Sequence, residues 1–152
     1  MKIEYHKVYS HQLSKDMEFK VYGHSGQPWL FFPCQNGRLY DFENFRMLDV
    51  WAPAIEEGKV QMFTADTIDG QTWSDKGGNP HDRICRHEQW FWYITDELLP
   101  EIFEINAAGN GGHRAGGVMN FGCSMGAMHA ANFFFRRPDL FSGCMALSGL
   151  YS

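Results

Sequence analysis

The sequence predicts an α/β fold, a mostly parallel sheet with helices on both of its faces. Short apolar runs such as Trp29–Phe32 and Val60–Thr64 alternate with longer stretches of helical periodicity. The first of these runs is apolar without a break and closed by Pro33, the pattern of a strand buried on both sides. Neither an internal repeat nor a shift in composition divides the 152 residues, so a single domain, 1–152, is expected. Strand–helix alternation of this kind sets successive strands parallel, joined by crossover helices.

Two alternating segments, around Ile3–Tyr9 and Glu18–Tyr22, open the chain, and His24-Ser25-Gly26-Gln27-Pro28 turns it into the Trp29–Phe32 strand. Residues around Phe45–Glu57 read as a helix stopped by Gly58. Val60–Thr64 is the next strand, followed by an Asp/Gly/Trp-rich loop to Asn79. Pro80, a favoured first-turn residue, starts a long helix towards Leu99 that Pro100 is expected to kink before it ends near Asn106. Val118–Phe121 is a strand, Met125–Arg136 a helix halted by Pro138, and Cys144–Leu147 the last strand.

Composition narrows the function classes. With 44% hydrophobic and 20% charged residues, this is the make-up of a folded protein. The net charge of −5 and the scatter of its basic residues argue against a nucleic-acid partner, which needs clustered Lys and Arg. No apolar run approaches the ~20 residues needed to span a bilayer. Met1–Ser10 is polar and lacks the apolar stretch of a secretion signal, so a cytoplasmic location without membrane contact is expected.

Cys34, Cys85, Cys123 and Cys144 show no C-x-x-C spacing and read as free thiols, Cys123 and Cys144 as small buried hydrophobes. His81 and Cys85 share a helix face near His87, but a third and fourth ligand are missing; a solvated face is expected, and no metal. Arg114 interrupts the glycine-rich Gly109–Gly117 stretch, which no strand precedes, so no dinucleotide or other cofactor is expected.

The segment that carries chemistry is Gly122-Cys123-Ser124-Met125-Gly126, a G-x-S-x-G pattern between an expected strand and an expected helix. Such an elbow puts the serine on a strained turn, with glycines keeping the neighbouring backbone clear of it. The Ser124 hydroxyl would then stand at a helix N-terminus, where free N–H groups favour a developing oxyanion.

Around this motif the chain resembles the esterase-D/antigen-85-like branch of the α/β-hydrolases. The likeness runs over essentially the whole sequence, through Trp29–Gly37, Val60–Trp73, Glu97–Ile102, Asn120–Ala131 and Phe133–Gly149 in that order. It implies a three-layer α/β-hydrolase sandwich and hydrolysis of a small-molecule ester through an acyl-enzyme on Ser124. The resemblance also implies an oxyanion hole built from the N–H of Met125 and one from the loop after the third strand. In that loop Gln35 occupies the matching position and Asn36 is the neighbouring candidate. Asp69-Gly70-Gln71 and Trp73 follow the fourth strand at the carboxyl edge, so Trp73 and Gln71 are candidates for the substrate pocket, with simple loop packing as the alternative.

Family members place the catalytic acid and histidine after Ser124, on two further strands. Here only Asp139 and His129 follow it. His129 is five residues along the next helix and is expected to point away from Ser124, and Asp139 lies beyond the helix's far end. The chain is therefore expected to be truncated at its C-terminus, lacking the last two strands and impaired in activity. Its open sheet edge would be covered by self-association or by a complementing chain. An acyltransferase using the same acyl-enzyme, and a non-catalytic fragment retained for binding or assembly, are the alternative functions.

Overall fold

The computed structural model describes residues 1–149. Six strands form one sheet: β1 (Ile3–Ser10), β2 (Lys15–Tyr22), β3 (Gln27–Phe32), β4 (Val60–Ala65), β5 (Val118–Cys123) and β6 (Phe141–Leu147). They lie in the order β1-β2-β4-β3-β5-β6. The β1–β2 hairpin joins β4 antiparallel, whereas β4, β3, β5 and β6 run parallel. The sheet is thus mostly parallel, as expected from the sequence.

Alternation along β3 shows why helices cover both faces. Phe31 packs with Met62 and Phe121 against Phe42 of α1 (Asp41–Asn44) and Ile55 of α2 (Met47–Glu56). Leu30 and Phe32 face the other way, into a cluster with Trp90 of α3 (Pro80–Trp92), Leu99 and Ile102 of α4 (Leu99–Gly109) and Phe133 of α5 (Met125–Arg136). Each such side chain, fully buried, contributes roughly 1.5–3 kcal/mol. A central strand that must feed two cores cannot alternate with polar residues, which is why Trp29–Phe32 is apolar throughout.

Five local expectations are corrected. The helix expected over Phe45–Glu57 is found as α2 but starts only at Met47, because Arg46 adopts φ 60, a left-handed conformation that a right-handed helix cannot contain and that separates α2 from the short α1. The helix from Pro80 does not simply kink at Pro100. It passes through a π-helical turn, Tyr93–Leu98, and resumes as α4, with Pro100 in the first turn. The wider turn accommodates a residue that has no N–H to give and whose ring crowds the preceding carbonyl. The last strand starts at Phe141 and not at Cys144, since Phe141 plugs the core at 1% exposure.

The fourth correction concerns His87, which does not belong to a solvated face. It is buried and accepts a hydrogen bond at Nδ1 from Trp73 Nε1 (3.2 Å), whereas His81 and Cys85 are exposed. The cysteines are free; Cys34, Cys123 and Cys144 are half-buried, not fully buried as expected for the last two.

Candidate active site

Three neighbouring parallel strands, β4, β3 and β5, deliver their C-terminal ends to the same edge of the sheet. The segments Asp66–Gln71, Pro33–Gly37 and Ser124 therefore converge there, although they are far apart in sequence. In register, Phe32 of β3 lies beside Gly122 of β5, two residues before Ser124.

Ser124 is exposed and sits at φ 57, ψ −121 between β5 and α5. A non-glycine residue held there stores strain of about 1–3 kcal/mol. The close packing around it explains the two glycines. A Cβ on Gly122 would come within 2.4 Å of the Gly126 carbonyl group, and one on Gly126 within 2.3 Å of the Phe32 carbonyl oxygen. The Ser124 N–H donates to Leu147 O (2.9 Å), tying the turn to β6. At the head of α5, the Met125 N–H pairs with no backbone carbonyl of the described residues, as first-turn amides do.

The loop after β3 lies against this elbow. Cys34 Sγ donates to Cys123 O (3.4 Å), and burial together with the neighbouring Cys123 pushes the Cys34 thiol pKa up. Gly37 N–H donates to Cys34 O (2.9 Å), closing a turn in which Asn36 takes φ 55. The two candidate donors on this turn differ. Asn36 N–H donates to Asp69 Oδ2 (3.2 Å), whereas Gln35 N–H pairs with no backbone carbonyl of the described residues.

The exit of β4 braces the same loop at further points. Thr67 Oγ1 donates to Gly37 O (2.9 Å) and Arg38 Nε to Asp66 Oδ1 (2.7 Å). Burial raises the Asp66 pKa, and Arg38 opposes that rise. Asp69 itself is 3% exposed, and its Oδ1 lies 3.5 Å from Nε2 of His129. That distance allows attraction without a formed hydrogen bond, and His129 Nε2 has no hydrogen-bond partner among the described residues.

His129 is enclosed by the rings of Phe32, His87 and Trp90 at 1% exposure, and Asp139 pairs at the surface with Arg137 (2.9 Å). Both are engaged by groups other than Ser124. Trp73 and Gln71 line different cavities. Trp73 shares one of about 410 Å³ with Pro80, Ile84 and His87. Gln71 shares one of about 200 Å³ with Asn36, Gly37, Thr67 and Asp69, and its Oε1 accepts from Arg86 Nε (2.9 Å). The sequence reading missed the inward roles of Asp69 and His87. The one signal for Asp69 is its place just after the strand beside β3, and nothing in the linear pattern marks His87.

A sheet of this order, carrying a serine on a strained turn between strand and helix, defines the α/β-hydrolase fold. The model of the family described as "Putative esterase" matches residues 10–152, and the chain belongs to that family. This agrees with the resemblance read from its motifs. Among solved structures it is similar to the ferulic acid esterase AmCE1/Fae1A of the anaerobic fungus Anaeromyces mucronatus. There the TM-score is 0.75 at 14% identity, over 99% of this chain and 60% of that one. It is also similar to S-formylglutathione hydrolase (FrmB) of Staphylococcus aureus, with TM-score 0.70, 10% identity, and coverage of 100% and 59%. MPT51 (FbpC1) of Mycobacterium tuberculosis gives a TM-score of 0.64 at 16% identity, with coverage of 94% and 51%. The chain spans 51–60% of the length of these three structures. No curated protein sequence matches it. No helix among the described residues is long and apolar enough to cross a membrane.

Proposed function

We propose that this chain carries the nucleophile and the oxyanion hole of a serine carboxylic-ester hydrolase. The observation that supports this reading is the strained Ser124 at the head of α5, with the Pro33–Gly37 loop packed against its elbow. Ser124 Oγ attacks the ester carbonyl carbon, and the carbonyl π electrons move onto oxygen. That oxyanion is received by the N–H groups of Met125 and Gln35. Its collapse breaks the bond to the alcohol oxygen, which leaves carrying the proton that the Ser124 hydroxyl gave to the base on attack. Water then cleaves the acyl-enzyme, releasing the acid and restoring the Ser124 hydroxyl. Loss of one oxyanion donor typically costs ~3 kcal/mol of transition-state stabilisation. In this reading the base and its acid partner come from polypeptide outside the described residues, and no metal or organic cofactor takes part. Transfer of the acyl group to another alcohol uses the same intermediate.

The Trp73 cavity, walled by Pro80, Ile84 and His87, suits an apolar acyl or alcohol group, and Gln71 borders the oxyanion loop from the other side. Along β6, Met145 and Leu147 are 41% and 47% exposed. We propose that further polypeptide, from a second copy or from a complementing chain, covers this edge.

A second reading, a non-catalytic domain kept for binding or assembly, draws on the engagement of His129 with Asp69 and of Asp139 with Arg137 rather than with Ser124. A fluorophosphonate probe and p-nitrophenyl acetate separate the two when this chain is measured beside a version extended with the missing C-terminal strands. Labelling and turnover that vanish in Ser124→Ala support the esterase; a serine inert in both versions supports the binding domain.

A further inference from the structure

We propose that Asp69 is a positioning residue that sets the oxyanion loop and decides which of its two consecutive amides is free to meet substrate. The proposal rests on the esterase reading above. Burying a carboxylate to 3% exposure is costly unless donors compensate it, so its partners identify what it is there to hold. Asp69 has no Lys or Arg partner among the described residues. Its donor is a main-chain group, the Asn36 N–H at 3.2 Å, and the other carboxylate oxygen faces His129 Nε2 at 3.5 Å. The Asp69 backbone is pinned in turn, because its carbonyl accepts from the N–H groups of Thr72 (3.1 Å) and Ser74 (2.9 Å).

One carboxylate thus stands between the loop after β3 and the helix that begins at Ser124. Thr67 and Asp66 also brace this loop, but they hold Gly37 and Arg38, downstream of the turn. Asp69 alone among them engages Asn36, the residue forced to φ 55, a conformation that costs a non-glycine residue free energy unless it is held. Because the Asn36 amide is taken by Asp69, the Gln35 amide is the one left to receive an oxyanion. The buried His129 supplies the other wall of the carboxylate's site, which assigns a structural use to a histidine that does not serve as base.

Amide hydrogen exchange resolved by residue tests this on the chain itself. In the wild type the Asn36 amide is expected to be protected although its residue is exposed, with the adjacent Gln35 amide exchanging freely. In Asp69→Ala the Asn36 amide should exchange at least ten times faster, with the β3 and β5 core amides unchanged. Asp69→Asn, which keeps an acceptor oxygen, should restore part of that protection, and it serves as the second variant if the alanine form fails to fold. Fluorophosphonate labelling at Ser124 should slow by a similar factor in Asp69→Ala and recover in part in Asp69→Asn. The proposal is overturned if Gln35 is the protected amide in the wild type. It is overturned equally if Asn36 exchange ignores the substitution, if all amides accelerate together, or if a labelling wild type labels as fast without Asp69. A serine that never labels even in a version extended with the missing C-terminal strands, beside an Asn36 amide that responds to Asp69, removes the esterase reading and leaves the loop clamp standing.

Discussion

Trp73 Nε1 donates to Nδ1 of His87 across 3.2 Å, so the imidazole that closes the 410 Å³ cavity is held as its Nε2-protonated neutral tautomer. Burial, seconded by the neighbouring His129, lowers the His87 pKa to about 4. Glu88, Arg136 and Asp69 also act on it, the two carboxylates raising the value and Arg136 lowering it.

The depressed pKa of His87 makes stability depend on pH. Its folded value, about 4, lies below the ordinary 6.5. Above the latter both states are neutral and the group contributes nothing. As pH falls towards 4, the unfolded chain binds a proton that the folded chain refuses, and stability is lost. By linkage the loss at pH 5 is roughly 2 kcal/mol relative to neutral pH. Urea unfolding at pH 7 and pH 5 should show this drop in the wild type. His87→Gln, which keeps an acceptor for Trp73, should reduce it by about that amount. An identical drop in both proteins would rule out His87 as its source.

Gly126→Ala tests the packing of the elbow. The added Cβ would stand 2.3 Å from Phe32 O and 2.7 Å from Pro33 O, both main-chain atoms that cannot swing aside. The expected cost is at least about 1–3 kcal/mol, the usual range for overpacking, read as a lowered urea midpoint. A midpoint unchanged from wild type would mean that β3 and α5 do not approach this closely.

Ser124→Gly should raise stability while removing the nucleophile. At φ 57, ψ −121 a glycine relieves strain of about 1 kcal/mol, partly offset by the extra freedom it gives the unfolded chain. Thermal melting of Ser124→Gly beside Ser124→Ala isolates the backbone effect, because both lack the hydroxyl. The glycine form should melt higher; equal melting temperatures would argue against strain at this turn.

The β6 edge should report itself in solution. If a second copy covers Met145 and Leu147, the chain alone should self-associate with rising concentration in analytical ultracentrifugation. Met145→Lys with Leu147→Lys should then shift it towards monomer, since a charge on an exposed edge opposes strand pairing. A wild type that stays monomeric across the range would exclude self-association as the cover.

The order of strands and helices, the two-sided burial of Trp29–Phe32 and the place of Ser124 between β5 and α5 were determined by the sequence alone. Each rests on local regularity: apolar period, glycine spacing and the punctuation of Pro and Gly act over a few residues and are legible in one dimension. Local signals also marked where the pattern would fail, at Pro100, without revealing that a π-helical turn rather than a kink would absorb it. The left-handed Arg46 that separates α1 from α2 and delays the helix expected over Phe45–Glu57 left no comparable trace. Tertiary structure decided everything that depends on strand order. Because β4 inserts beside β3, Asp69 reaches Asn36 across an interval of 33 residues, and α3 carries His87 beneath Trp73 to stack on His129. Whether a polar side chain faces water or another chain segment is set by its neighbours in space. A single sequence does not name them until the sheet has brought its edges together.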